Sequence, residues 1–405
     1  MGSLASPGDG ERDSAHSESE TVNNLQSEKI PFGRPAIVGK ELEYIAQAIQ
    51  NGTIAGGGPF MLRCETWLEQ ALSARRALMT HSCTAALEMA AMLSEVGPGD
   101  EVIMPSFTFS ATATAFVLRG ATVVFVDIDP DTLNIDPAHI EPAITERTKV
   151  VVPVHYAGLA CDMDAIMEIA GQHDLLVVED AAQAHLSTFK GKSLGTIGDL
   201  GCLSFHETKN VISGEGGALI LNNERLLDRA EIIREKGTDR SRFFRGQVDK
   251  YTWQDIGSSY CPGEIVSAFL MAQLEQADII CARRRVIYDL YRESLAPLAA
   301  DGTVILPRAT GTEVNGHIFW LLLESEAVRA DLIRYLKARN INAVFHYVPL
   351  HSAPAGRKFG RASGDLAVTD QISNRLLRLP LYYTLDDDEV SRVVEAIFAY
   401  FGRSA

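Results

Sequence analysis

Short runs of unbroken apolar residues recur along the first half of the chain: Val102-Ile103-Met104, Val123-Val124-Phe125-Val126, Val150 to Val154 and Leu175 to Val178. A strand with one wet face alternates apolar and polar residues, so a strand with no polar positions is covered on both faces. Stretches of helical character lie between the runs, Met163 to Gln172 among them. This alternation predicts an α/β fold with a mostly parallel sheet between helices, and such sheets gather ligands at the carboxyl ends of their strands.

The flanks extend the pattern. Leu42, Ile45 and Ile49 form one helical stripe, and residues 60–74 form an amphipathic helix. Ser82 opens an Ala-rich helix that runs to about Glu95 and stops at Gly97-Pro98-Gly99. A long helical stretch, Glu264 to Leu298, leads into a region that mixes strands (Ile318 to Leu323, Ala343 to Val348) with helices (Glu326 to Arg339, Glu389 to Tyr400). At 405 residues the chain exceeds what one core usually spans. The expected division is a large lobe at 29–272 and a smaller α+β lobe at 273–405. Residues 1–28, polar and poor in apolar side chains, read as a disordered tail.

The net charge of −16 argues against nucleic acid as a partner, because phosphate backbones need a basic face. Six scattered cysteines without a C-x-x-C pair read as free thiols of a reducing cytoplasm. No apolar run is long enough for a membrane span.

Chemistry concentrates at two strand ends. The run Leu175 to Val178 ends in Glu179-Asp180, and a buried carboxylate there requires a partner. A second short strand, Gly201 to Phe205, is followed by His206-Glu207-Thr208-Lys209-Asn210. An acid and an amine facing one crevice suit pyridoxal phosphate: the amine bonds the aldehyde, and the acid holds the pyridine nitrogen protonated. The helix start at Ser82-Cys83-Thr84 offers free N–H groups to a phosphate, and Phe109 lies where it can stack on a ring. Singly these signals are weak, since a lone Lys209 is most often a surface lysine. His206-Glu207 lacks the second histidine of a zinc motif, with Asn210 in that place, so no metal is expected.

The order of these motifs resembles the DegT/DnrJ/StrS sugar aminotransferases, which have the type I (aspartate aminotransferase-like) pyridoxal-phosphate fold. The resemblance spans nearly all of the chain after residue 30 and includes Pro153 to Gly158, Glu179 to Ala184 and Ser204 to Asn210. It implies roles residue by residue. Lys209 matches the Schiff-base lysine, Asp180 the partner of the pyridine nitrogen, and Gln183 the partner of the cofactor's phenolic oxygen. Ser204 matches a phosphate ligand beside Cys83 and Thr84, and Phe109 the stacking aromatic. Gly257 to Cys261 stands where many members carry Gly-x-Asn-x-Arg, whose Asn reaches the neighbouring subunit's phosphate. Here Ser259 takes the Asn's place.

The runs Glu235 to Arg240 and Phe244 to Trp253 resemble a subgroup that aminates C4 of dTDP-4-keto-6-deoxy-D-glucose. The implied reaction is ping-pong, with L-glutamate as the donor and a homodimer as the working form. The basic residues Lys236, Arg240, Arg242, Arg245 and Lys250 are candidates for the sugar's diphosphate, and His346 for the sugar.

Overall fold

The computed structural model describes residues 28–308 and 314–404, so the tail expected at 1–28 lies outside the described residues but for its last position. The strands that matter here are β1 (Arg76–Thr80), β2 (Glu101–Pro105), β3 (Thr122–Val126), β4 (Thr148–Val151), β5 (Leu176–Asp180), β6 (Leu200–Ser204), β7 (Gly217–Leu221), β8 (Trp320–Leu322), β9 (Val344–Phe345), β10 (Gly360–Ala362) and β11 (Leu376–Arg378). Eight of them form one sheet in the order β1-β7-β6-β5-β4-β2-β3-β10. From β6 to β10 every pairing is parallel. The expected apolar strands are there, and β2, β6 and β7 are buried at every residue.

The sheet departs from the expectation at one end. There β7 runs antiparallel to both β6 and β1. The link from Ser204 to Gly217 contains no helix, and a parallel return generally needs a crossover of a dozen or more residues, usually helical.

The helices nearest the site are α1 (Glu41–Gln50), α2 (Pro59–Leu72), α3 (Cys83–Leu93), α4 (Ser110–Val117), α5 (Met163–Gln172), α6 (Glu264–Leu274) and α7 (Ala277–Ser294). The stripe on α1 is oriented differently from expectation: Leu42 and Ile49 are exposed, while Glu41, Tyr44 and Ala48 are buried. Polar anchors set that rotation. Glu41 accepts from the Val38 and Gly39 N–H groups and from Gln273, and the Tyr44 hydroxyl donates to Glu275. The helix expected from Glu264 to Leu298 breaks into α6 and α7 with a 60° bend, where Gln276 leaves helical geometry (φ −111°, ψ 8°). Among the described residues no single helix is long and apolar enough to cross a membrane, although the bent pair α6–α7 passes on length and composition.

One set of cores packs on the eight-stranded sheet and another is built from Ile30 and residues 287–398, and the regions around them, a large and a second, smaller lobe, exchange segments. Residue Ile30 pairs with Ile341 and packs in the second lobe's core with Tyr291, Phe319, Leu336 and Ile397. In return β10 adds the edge strand beside β3, and its Arg361 reaches the buried Glu101 of β2 at 3.0 Å. Burial alone raises a carboxyl's pKa. Hydrogen bonds from Arg361, Thr145 and Arg147 outweigh that and hold Glu101 at about 2. These exchanges hold the second lobe over the carboxyl ends of the parallel strands.

Candidate active site

A cavity of about 990 Å³ opens where the two lobes meet. From the large lobe Ser82, Cys83, Thr84, Phe109, Thr112, Asp180, Gln183, Ser204 and Lys209 line it, and from the small lobe His317, His346, Tyr347 and Arg378. Eight residues singled out from sequence therefore share one cavity: Lys209, Asp180, Gln183, Ser204, Cys83, Thr84, Phe109 and His346.

Asp180 ends β5 and is only 5 % exposed. Its Oδ2 accepts from the Thr112 hydroxyl at 2.7 Å, and its Oδ1 accepts from the Ala182 N–H at 3.1 Å. Thr108 in turn bonds Thr112 at 2.9 Å. Strand alternation sends the preceding Glu179 to the opposite face. There Glu179 accepts from the N–H groups of Gly195, Ile197 and Gly198 and pairs with His155 Nε2 at 2.9 Å. Burial disfavours charge on His155, but its contacts with Cys161 and Glu179 prevail and raise its pKa to about 10. The His155 N–H also donates to the Asp180 carbonyl. The strand end is thus fixed from both faces.

Lys209 sits on the turn after β6, its N–H bonded to the His206 carbonyl at 2.9 Å. The next residue anchors the turn to the small lobe: the Asn210 amide donates to the Asn315 carbonyl (2.8 Å), and its Oδ1 pairs with His317 Nδ1 (2.9 Å). Among the described residues Lys209 is the only lysine lining the cavity. Burial pushes its ammonium below the usual lysine range, outweighing the attraction of Asp180.

Gln183 is held at both ends of its amide. Its Oε1 accepts from the Ala157 N–H at 2.7 Å, and its Nε2 donates to the Tyr347 hydroxyl at 2.9 Å. Ser82 caps α3, its hydroxyl accepting from the Ala85 N–H at 3.1 Å. This leaves the N–H groups of Cys83 and Thr84 at the helix start, where an anion is favoured. Strand β7 passes close behind: a Cβ on Gly217 would lie 2.4 Å from the Ser82 carbonyl carbon. Phe109 is 61 % exposed at the cavity wall, tilted 6.5 Å from Tyr347. His346 Nδ1 pairs with the Tyr156 hydroxyl at 3.0 Å, and burial drives the ring toward its neutral form.

Four other candidates are placed elsewhere in this chain. Ser259 is exposed, outside the cavity. Arg240 pairs with Glu235 at 3.3 Å and lies over the Phe244 ring, Arg245 pairs with Glu231 at 2.7 Å, and Lys250 is exposed. The neighbouring Arg242 pairs with Asp228 at 2.6 Å. Three of its five cations thus meet carboxylates, Asp228 and Glu231 on the preceding helix and Glu235 at its end, and none of the five lines this chain's cavity. Thr112, Tyr347, His317 and Arg378 line it without having been expected. Thr112, three residues past Phe109, and Tyr347, next to His346, stood beside residues already singled out.

The arrangement places an amine, a fixed carboxylate and an anion-ready helix start in one enclosure between two lobes. Residues 35–398 match the model of the DegT/DnrJ/EryC1/StrS aminotransferase family. The spore coat polysaccharide biosynthesis protein SpsC of Bacillus subtilis is 35 % identical over 380 residues, covering 91 % of this chain and 96 % of that protein. A GDP-perosamine synthase of Caulobacter vibrioides is 34 % identical over 376 residues, covering 91 % and 97 %. Among solved structures, the PLP form of Spr1654 of Streptococcus pneumoniae superposes with a TM-score of 0.84 at 28 % identity, covering 92 % of this chain and 98 % of that one. The chain belongs to the DegT/DnrJ/EryC1/StrS aminotransferase family.

Proposed function

We propose that this chain transfers an amino group from an amino acid, L-glutamate, to the keto carbon of a nucleotide-linked 4-keto-6-deoxy sugar, with pyridoxal phosphate as cofactor. The observation that carries this reading is the shared enclosure of Lys209 and Asp180, which open into one cavity from neighbouring strand ends. The residues fit the cofactor's three demands. Lys209 supplies the amine and Asp180 the anchored acid, while the α3 start at Cys83-Thr84, with Ser204, supplies an anion seat. When bound, the cofactor supplies the electron sink that stabilises a carbanion. Lys209, with its lowered pKa, is suited to take and return a proton at the substrate carbon. Gln183 and Tyr347 form a polar wall, and Phe109 and Tyr347 offer aromatic surface. That Spr1654 has been solved in both PLP and PMP forms fits a reaction in two halves.

The homodimer belongs to this reading. Exposed Leu42, Ile49, Phe244 and Trp253 give apolar surface that a second copy can cover, and Ser259, exposed here, is assigned to the partner's phosphate. The six unpaired thiols suit the cytoplasm.

For the sugar nucleotide, the run Phe244 to Trp253 favours dTDP-4-keto-6-deoxy-D-glucose, aminated at C4. A GDP-linked sugar is the second reading, favoured by relatives named GDP-perosamine synthase. Incubation with glutamate and both 4-keto-6-deoxy sugar nucleotides, read by mass spectrometry, separates them. Amination of the dTDP sugar alone is the expected result. Amination of the GDP sugar alone transfers the assignment, and amination of neither rejects both.

Gly217→Ala is a second test. The new methyl group must displace the helix start, and overpacking of this kind costs about 1–3 kcal/mol. If that helix start seats the cofactor's phosphate, pyridoxal phosphate binding weakens about 10- to 100-fold. Titration followed by absorbance measures it, and unchanged affinity removes the helix start from the phosphate site.

A further inference from the structure

Arg378 ends β11, which β8 and β9 flank in the small lobe's sheet. Its side chain lines the cavity. The guanidinium lies over the Phe32 ring, 4.7 Å from its centroid, and one NH2 donates to the Phe345 carbonyl at 3.1 Å. Its buried Nε has no hydrogen-bond partner, and among the described residues no carboxylate pairs with it. The other cations of the cavity differ. Arg284 is spent on the carbonyls of Gly316, His317 and Leu381. Arg34 is exposed, over the Tyr382 ring. Lys209 is assigned to the cofactor.

A half-buried guanidinium with one carbonyl partner and a buried, unpartnered Nε has donors left for an anion, and its planar fork matches a carboxylate with two parallel bonds. The proposed reaction brings four anionic groups: the cofactor's phosphate, the sugar's diphosphate, and the donor's α- and γ-carboxylates, of which the γ-carboxylate is held two methylenes away from the reacting carbon. The cofactor's phosphate is assigned to the α3 start. The donor's α-carboxylate is attached to the carbon that reacts, so its receptor must lie close to Lys209. The sugar's diphosphate is separated from a C4 keto carbon by the width of the sugar ring, so its receptor belongs farther out. Arg378 lines the same cavity as Lys209, His346 and His317, on the strand paired with Val344-Phe345, which leads directly into His346. We propose that Arg378 receives the α-carboxylate of the amino donor and so orients the carbon that loses its proton. This rests on the aminotransferase reading above. His346 and Tyr347 then face the sugar, and the two substrates are read by different groups in one cavity.

The test compares two half-reactions of the cofactor-loaded enzyme that give the same absorbance change: conversion by glutamate, and conversion by the amino-sugar product run in reverse. Losing a charged hydrogen-bonding partner costs about 1.5–3 kcal/mol, so R378Q should need on the order of 10- to 100-fold more glutamate for half-maximal conversion, with the amino-sugar reaction within about two-fold of wild type. R378K should recover part of the loss. Glutarate, a dicarboxylate without the amine, should raise the melting temperature of wild-type holoenzyme and not that of R378Q. Equal loss in both half-reactions assigns Arg378 a structural role, and loss confined to the amino sugar makes it the diphosphate receptor; either overturns the proposal, as does unchanged use of glutamate. If wild-type enzyme converts with neither substrate, the aminotransferase reading itself fails, and the glutarate shift then decides whether Arg378 binds a carboxylate.

Discussion

Replacing Lys209 with alanine is expected to lower amination by on the order of 10⁴-fold, the upper range of a positioned proton-transfer group and more than the loss of any neighbour. Among the described residues no other lysine lines the cavity, so no second amine stands ready there to take over. Its place on the β6–β7 turn, tied through Asn210 to Asn315 and His317, leaves the amine in the cavity while the backbone stays fixed. The lowered pKa leaves more neutral amine near neutral pH than a free lysine has. Turnover by mass spectrometry measures the loss, and borohydride reduction of wild-type holoenzyme should place the trapped adduct on Lys209. An adduct on another lysine, or near-normal turnover in the alanine variant, would end the assignment of this cavity as the active site.

Much of this site was legible in sequence, because its chemistry sits where regular structure ends. Val123 to Val126 and Leu175 to Val178 are apolar at every position, so they announced buried strands, and Asp180 ends one strand while Lys209 sits on the turn after another. Residues Tyr347 and Arg378 carried no such signal. They lie at or just beyond strands of two and three residues in the small lobe, and only the packing of that lobe over the large one brings them to Lys209. The basic run shows how far local clustering reaches. Arg242 and Arg245 stand out as a local cluster, yet Asp228 and Glu231 of the preceding helix meet them, each 14 residues away along the chain. Periodicity likewise located α1 without revealing that the anchors Glu41, Gln273 and Tyr44 would leave Leu42 and Ile49 outward while Ile45 packs on the core. Period reports that a helix has faces, and only the contacts decide which face is covered.

Asp180→Asn separates the charge from the scaffold. Asparagine keeps the shape and can accept from the Ala182 N–H through Oδ1, while the Thr112 hydroxyl can rotate to accept from the new amide. The fold should therefore persist, with the His155–Glu179 pair still fixing the strand end from behind. What disappears is the negative charge proposed to hold the cofactor's ring nitrogen protonated. Removing one preorganised electrostatic partner typically costs about 10²–10³ in kcat, and that range is expected here, with little change in the KM for the sugar nucleotide. Thr112→Val provides the complementary case. It keeps the charge but removes one donor that orients it, so the expected loss is about 10-fold, the scale of one hydrogen bond to a charged group. Steady-state kcat and KM, with melting temperature as the check on folding, distinguish the two. Equal losses in both variants would mean that Asp180 acts through its hydrogen bonds alone. A fully active, folded Asp180→Asn enzyme would remove the carboxylate from the chemistry and leave Lys209 without the partner on which the cavity's assignment depends.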